Sequence, residues 1–304
     1  MTLEKRKLGR TCLDVSAIGL GGAGIGGIYQ NTVADRDTVE TVELALTSGI
    51  NFIDTSPLYG ESERRLGIAL RGVDRKSYFL STKTGTHPNY KQDYSWDGTL
   101  HTVENSLKLL GADYFDILLV HDPELIEPVF AKRGALEALE WLREQGVVRN
   151  IGLGQRRHDF HKQAIKSERF DVILTFNDYH VTRTTALTEG LLEIAAEHNI
   201  GVLNGSPMGH GLLTGVDPRT LHTPHLVERD AKAATKFYDW CQSKKLNQKA
   251  IVLQSCLKQP LIHCTLTGAK NKQELHENLD ALHEEIPDYV WEDLKTLKLT
   301  EGQV

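Results

Sequence analysis

Four side chains suited to proton transfer stand at or just beyond the ends of short apolar runs. Asp54 closes INFID (50–54), Tyr59 follows in TSPLYG, Lys83 follows YFLST (78–82), and His121 follows FDILLV (115–120). Singly, a strand-end aspartate often caps the next helix and a strand-end lysine often meets solvent. Together a carboxylate, a phenol, an ammonium and an imidazole make an acid/base device. A free phenol titrates near pH 10, too high for an efficient base at neutrality, and lowering it by two units requires about 2.7 kcal/mol of preference for the phenolate. An ammonium about 4 Å away supplies roughly 4 kcal/mol in a partly buried site but only about 1 in open water. Lys83 can therefore tune Tyr59 only if the pocket is partly dry. Asp54 would hold the ammonium charged, and a neutral His121 would direct a substrate oxygen. Such a set suits hydride movement at a carbonyl or hydroxyl carbon, where a proton must enter or leave the oxygen.

Bringing these residues together requires strands that end at one face. Apolar runs recur at 15–20, 50–54, 78–82, 115–120, 148–153, 170–176, 200–204 and 262–267. Each is short and lacks polar alternation, as in strands buried on both faces of a parallel sheet. Helical patterns lie between them. After Asp35 and Asp37, Val39, Val42, Leu44 and Leu46 recur up to Gly49, and in 98–111 Leu100, Val103, Leu107 and Leu110 form a stripe that stops at Gly111. This α/β alternation predicts a closed (β/α)8 TIM barrel, one domain over 1–304, with its active site at the C-terminal ends of the strands. Three additions are expected: an N-terminal β-hairpin in 1–14 turning at Gly9-Arg10, a long excursion over 205–247 followed by a helix in 246–259, and an extra C-terminal helix in 287–299.

With 40% hydrophobic and 25% charged residues and a formal net charge of -6, the composition is that of a soluble globular protein without the basic field that nucleic acid requires. The charged start MTLEKRKLGR lacks a signal peptide's apolar run, and no stretch approaches the roughly 18 apolar residues of a membrane span. The four scattered cysteines read as reduced thiols. A cytoplasmic enzyme acting on a small molecule, as a monomer or homo-oligomer, is expected. Two motifs read as decoys. Gly22-Ala23-Gly24-Ile25-Gly26-Gly27 matches G-x-G-x-x-G, but the turn and cap signals Asn31, Asp35 and Asp37 place the next helix too late for a Rossmann site. His158 and His161 read as a surface pair at a helix start, and no metal site is expected.

The Asp54/Tyr59/Lys83/His121 set in DTSPLYG, with Leu66 to Leu70 as LGxxL, resembles the catalytic tetrad of the aldo-keto reductase family. The resemblance extends through KRKLGRTCLDVSAIGLG, YFDILLVHDPE, GVLNGSPMGHGLLTG and LTGAKNKQELHENL. In DILLVHDPE, DVILTFNDYH and SPMGHGLLTG the chain is most similar to NAD-linked sugar 1-dehydrogenases of the L-galactose, L-fucose and D-threo-aldose type. This implies oxidation of the C1 hydroxyl of a free aldose (L-fucose, L-galactose or D-arabinose type) to the lactone. Rival readings are an NADPH-dependent aldehyde/ketone reductase, a pyridoxal-type dehydrogenase and, from another class, a cofactor-binding regulatory subunit.

The resemblance also implies an extended dinucleotide. Its pyrophosphate would lie under Ser206, Met208, Gly209, Gly211 and Leu212, and its adenosine end on Gly268, Lys270 and Asn271 with Asn278 behind. The nicotinamide would lie near Gly22, Gln155 and Thr175. Glu274 stands where an arginine commonly grips a 2′-phosphate, which favours NAD over NADP. Gly154-Gln155 replaces the family's Ser-Asn pair, and Gly205 replaces a tyrosine that stacks on the nicotinamide. Substrate contacts are expected from Trp96, Asn177 and His180, with His87, Tyr90 and His210 as further candidates.

Overall fold

The computed structural model describes residues 3–28, 32–90, 92–221 and 227–299. An antiparallel hairpin of β1 (Lys5–Lys7) and β2 (Asp14–Ser16) comes first. The strands β3 (Ile18–Gly21), β4 (Phe52–Asp54), β5 (Phe79–Thr84), β6 (Phe115–His121), β7 (Val148–Gln155), β8 (Val172–Phe176), β9 (Gly201–Gly205) and β10 (Cys264–Gly268) follow. They form a closed parallel barrel in the order β10-β3-β4-β5-β6-β7-β8-β9. The first helices are α1 (Ala23–Gly26), α2 (Asp35–Thr47), α3 (Ser62–Ala69), α4 (Trp96–Leu110), α5 (Glu127–Phe130), α6 (Ala135–Glu144) and α7 (His158–Lys166). Then come α8 (Thr185–Thr188), α9 (Leu191–Glu197), α10 (Glu228–Lys244), α11 (Gln248–Leu257), α12 (Lys272–His283) and α13 (Asp288–Thr296). The expected (β/α)8 barrel with its hairpin and added C-terminal helix is the observed architecture. Among the described residues no helix is long and apolar enough to cross a membrane.

Side-chain alternation along each strand divides the core in two. Phe52, Ile117, Leu119, Val172, Leu174, Leu203 and Leu266 fill the barrel, and Leu8, Leu13 and Val15 from the hairpin region join them. The hairpin thus plugs the end opposite the candidate site. Its fit depends on Gly201, where a Cβ would lie 2.7 Å from Leu8 Cγ. The outward residues Leu118, Val120, Ile151 and Leu153 pack with Val42, Leu66, Val103 and Leu139 from the helices. Burial at about 25 cal/mol per Å² of apolar surface makes these two layers the main stabilising term.

Several details differ from the sequence reading. The run 15–20 is two strands, because Ser16 N donates to Asn51 Oδ1 (2.7 Å) and Ala17 N to Glu4 O (2.8 Å), ending the hairpin before the barrel begins. The hairpin accordingly spans 5–16 and turns through Gly9–Thr11. The excursion 205–247 holds the long helix α10, which buries Ala234, Phe237 and Cys241. A one-turn helix, α1, opens inside the glycine motif, where none was expected before Asp35. The closed barrel, rather than a late helix, is what excludes a Rossmann site. His161 is fully buried, not a surface residue, and donates from Nε2 to Gln155 O (2.9 Å), while His158 bridges Glu189 and Asp178. Its place on α7 against β7 accounts for the burial. Cys241, Cys256 and Cys264 are buried unpaired thiols, and Cys12 is exposed.

At the lower rim one carboxylate ties three elements. Asp116, 1% exposed, accepts from Arg75 Nη2 (2.6 Å), Leu80 N (2.9 Å) and Arg149 Nη1 (3.2 Å). Asp116→Ala leaves Arg75 without its carboxylate and the buried Leu80 N without its acceptor, and is expected to cost about 3 kcal/mol. Urea unfolding should show this loss, while cofactor affinity, set at the other end of the barrel, stays unchanged.

Candidate active site

Asp54, Lys83 and His121 come from three adjacent strands, two residues beyond Phe52, Ser81 and Leu119, so alternation aims all three into the upper end of the barrel. Lys83 is 1% exposed, and its Nζ donates to Asp54 Oδ2 (2.6 Å) and Thr55 O (2.6 Å). Ser81 Oγ donates to Asp54 Oδ1 (2.9 Å), which fixes the carboxylate. Burial pulls the Lys83 pKa below the usual lysine value, and the Asp54 charge opposes that fall. Outside the wall, Thr82 Oγ1 donates to the buried Glu63 (2.7 Å), whose carboxyl is pushed up by burial.

Tyr59 reaches over this pair from the loop after β4. Its ring centroid lies 4.9 Å from Lys83 Nζ and 5.9 Å from the His121 ring, edge to face. His121 Nδ1 meets the hydroxyls of Ser56 (3.2 Å) and Thr86 (2.5 Å), and Tyr94 Oη donates to His121 O (2.6 Å). Burial, then the Lys83 charge, holds the His121 pKa well below the usual value, so the ring is neutral at pH 7. The four residues read from the strand ends therefore share one site. A buried cation beside a phenol and a neutral imidazole can exchange a proton with a substrate oxygen.

The sequence profile of the Aldo/keto reductase family matches residues 17–298. The chain belongs to that family. It is an oxidoreductase, and aldo/keto reductases use nicotinamide cofactors. It is 33% identical to L-galactose dehydrogenase of Arabidopsis thaliana, over 93% of this chain and 89% of that one. It is 27% identical to D-threo-aldose 1-dehydrogenase of a Pseudomonas species, over 94% and 95%. It shares its fold with an aldo-keto reductase of Bacillus halodurans in holo form, at a TM-score of 0.77 and 24% identity over 97% and 96% of the two chains.

In this aldo/keto reductase the dinucleotide is expected over the ends of β9 and β10. A Cβ added at Gly211 or Gly268 would meet nothing within 4 Å, so both loops leave room beside them for a ligand. Asn271 caps α12 by accepting from Glu274 N (2.9 Å), and Asn278 Nδ2 donates to Thr267 Oγ1 (2.9 Å) and Gly268 O (3.2 Å), bracing the β10 loop. Glu274 accepts from Lys270 Nζ (2.8 Å) and Lys270 N (3.1 Å). The Ser206–Leu212 loop departs from the expected phosphate cradle. Gly209 N donates to Ser206 O, His210 N to Ser206 Oγ, Gly211 N to Met208 O and Leu212 N to Gly209 O, so these groups close the loop on itself. Leu212 is buried against α10.

Other expected contacts are turned elsewhere. Gly22 is buried, donating its N–H to Asp54 O (2.7 Å). Gln155 Nε2 donates to Pro123 O (2.7 Å), and its Oε1 accepts from Arg156 N (2.6 Å), so its amide serves the backbone. Thr175 points out of the barrel to Asp178 (2.8 Å), because Leu174 and Phe176 take the inward positions. Trp96 packs on Trp141 and Arg133 in the seam between α4 and α6, away from the mouth. Asn177 and His180 are buried and bonded to each other (3.0 Å). His87 stacks on Tyr90 at 4.4 Å in the β5 loop.

Phe176, which the sequence reading passed over, faces inward beside Gly205, with the His210 ring edge-on at 5.0 Å. An aromatic closing an apolar run was its only signal. Ser56 and Thr86 gave none, since hydroxyls after strands are common.

Burial lowers His161 to about 4 and His180 to about 3. Their folded pKa values lie below the unfolded value of about 6.5, so each contributes stability that is complete above about pH 6.5 and lost as pH falls. Between about pH 6 and 4 each should remove up to about 1.4 kcal/mol per pH unit. In denaturant titrations across this range, His161→Gln should flatten the slope by one such increment. An unchanged slope would count against neutral burial.

Proposed function

We propose that this aldo/keto reductase oxidises the C1 hydroxyl of a free aldose, of the L-fucose, L-galactose or D-arabinose type, to the lactone with NAD, the whole chain acting as one barrel domain. The observation that carries the chemistry is the buried Lys83 ammonium, 2.6 Å from Asp54 and 4.9 Å from the Tyr59 ring centroid. A buried ammonium beside the ring favours the phenolate over the phenol, because little water screens the attraction. Asp54 offsets part of this and keeps Lys83 protonated. Tyr59 takes the C1 hydroxyl proton. A bound nicotinamide would supply the acceptor for the hydride that leaves C1. Ser56 Oγ accepts from Leu58 N (3.1 Å), leaving its proton for His121 Nδ1. The His121 Nε2–H then faces the substrate oxygen as donor.

The aldose reading is supported by the likeness to L-galactose and D-threo-aldose dehydrogenases. NAD is supported by Glu274, whose carboxylate at the start of α12 would repel a 2′-phosphate and can accept from a ribose hydroxyl. Gly211 and Gly268, beside open space, with Lys270 and Asn271, would border the dinucleotide.

The test is a panel of L-fucose, L-galactose, D-arabinose and common D-sugars with NAD and NADP, followed by absorbance of the reduced nicotinamide. NAD-linked turnover on one stereochemical group is expected. Reduction of simple aldehydes by NADPH, with silence on every sugar, would overturn the aldose and NAD readings together. Tyr59→Phe should lower kcat by about 10²–10⁴-fold with cofactor binding retained. Normal turnover in that variant would remove Tyr59 from the mechanism.

A further inference from the structure

The glycine motif that fails as a Rossmann site packs against the loop that carries Tyr59. A Cβ added at Gly26 would lie 1.7 Å from Tyr59 O and 2.7 Å from Tyr59 C, so only glycine fits while that peptide stays in place. The contact is reciprocal. Gly60 has φ +56°, and its Cβ would lie 2.7 Å from Gly26 O. Hydrogen bonds clip the two segments at both ends. Gly22 N donates to Asp54 O (2.7 Å) and Ser62 Oγ to Gly22 O (2.8 Å), and further along Arg65 Nη1 donates to Ile25 O (2.6 Å) and Glu61 N to Gly26 O (3.2 Å). Thr55 Oγ1 donates in turn to Ser62 Oγ (2.8 Å). Tyr59 itself is pinned within its loop, N to Ser56 O (3.0 Å) and O from Ser62 N (3.1 Å).

From this geometry we infer that α1 is a positioning element for Tyr59, and that the missing side chain of Gly26 sets the separation of the phenol from Lys83. The inference rests on the reading of Tyr59 as acid/base. A methyl group at Gly26 must push the Tyr59 peptide by about 1.3 Å or more to reach the 3.0 Å that real Cβ contacts respect. A misplacement of about 1 Å at a reacting group can cost roughly 100-fold in rate. Lengthening the 4.9 Å separation of Lys83 Nζ from the ring by that much weakens the attraction by about a fifth, worth roughly half a pH unit in the phenol's titration.

The experiment compares wild type, Gly26→Ala and Ser62→Ala, the last removing a clip without adding bulk. Tyr59 is titrated by ultraviolet difference against Tyr59→Phe or the matching double variants, and NADH affinity is read by fluorescence, with thermal unfolding alongside. For Gly26→Ala the expected result is cooperative unfolding, NADH affinity within about threefold, kcat down roughly 100-fold and a Tyr59 titration raised by half a unit or more. Ser62→Ala should move the titration the same way by less, and it decides the matter if Gly26→Ala does not fold. Stability or NADH affinity that falls while Tyr59 titrates as in wild type would make Gly26 a packing residue and overturn the inference. The two failures are separable, because the titration needs no substrate. An ordinary phenol titration in wild type sinks the acid/base reading, whereas a perturbed one left unmoved by both variants sinks the positioning.

Discussion

A lysine ammonium held in a nearly water-free barrel end needs a partner at hydrogen-bond distance, and Lys83 has two, Asp54 and the Thr55 carbonyl. Desolvating an unpaired ammonium costs several kcal/mol, so the strand ends of β4 and β5 must keep their register for the charge to persist. That requirement reaches outward. Ser81 holds the second Asp54 oxygen, and Gly22 N is tied to the Asp54 carbonyl. The loops after β3, β4 and β5 are thus organised around one buried ion pair. The same dryness strengthens the field at Tyr59 and suppresses the charge on His121, so one constraint sets the state of the neighbouring groups.

Around the pair, the mouth is shaped as much by absent side chains as by present ones. Gly26 lets the Tyr59 peptide approach, and Gly205 makes room for the Phe176 ring from the neighbouring strand. Gly211 and Gly268 border open space. Large groups at such positions would fill that space. The opposite end is treated in the reverse way, with Leu8, Leu13 and Val15 driven into the barrel to close it. A barrel sealed below leaves its upper face for ligand entry.

The fold and the four central residues were legible because both follow from periodicity along the chain. Apolar runs marked the strands, and strand ends in a parallel barrel share one face, so Asp54, Lys83 and His121 could be placed together without knowing any distance. Where the structure turns a residue differently from the sequence reading, orientation is the reason. Thr175 is one position from facing inward, and alternation gives that place to Phe176. Trp96 opens α4 as expected for a residue after β5, yet its ring turns into the seam with α6. Asn177 and His180 bond to each other, a choice that depends on a turn with φ +56° at Asn177 that the residue letters do not announce.

By itself the sequence determined the barrel, its added hairpin and C-terminal helix, and the identity of the groups at the strand ends, because hydrophobic period and strand order act locally along the chain. Tertiary structure alone decided which of those groups meet and which are diverted. Gly26 lies against Tyr59 across 33 positions of chain, and Gln155 and the Ser206–Leu212 loop turn their polar groups to the protein's own backbone. Such contacts follow from the closure of eight strands into a ring. Closure converts separation along the chain into adjacency in space, and no local pattern encodes it.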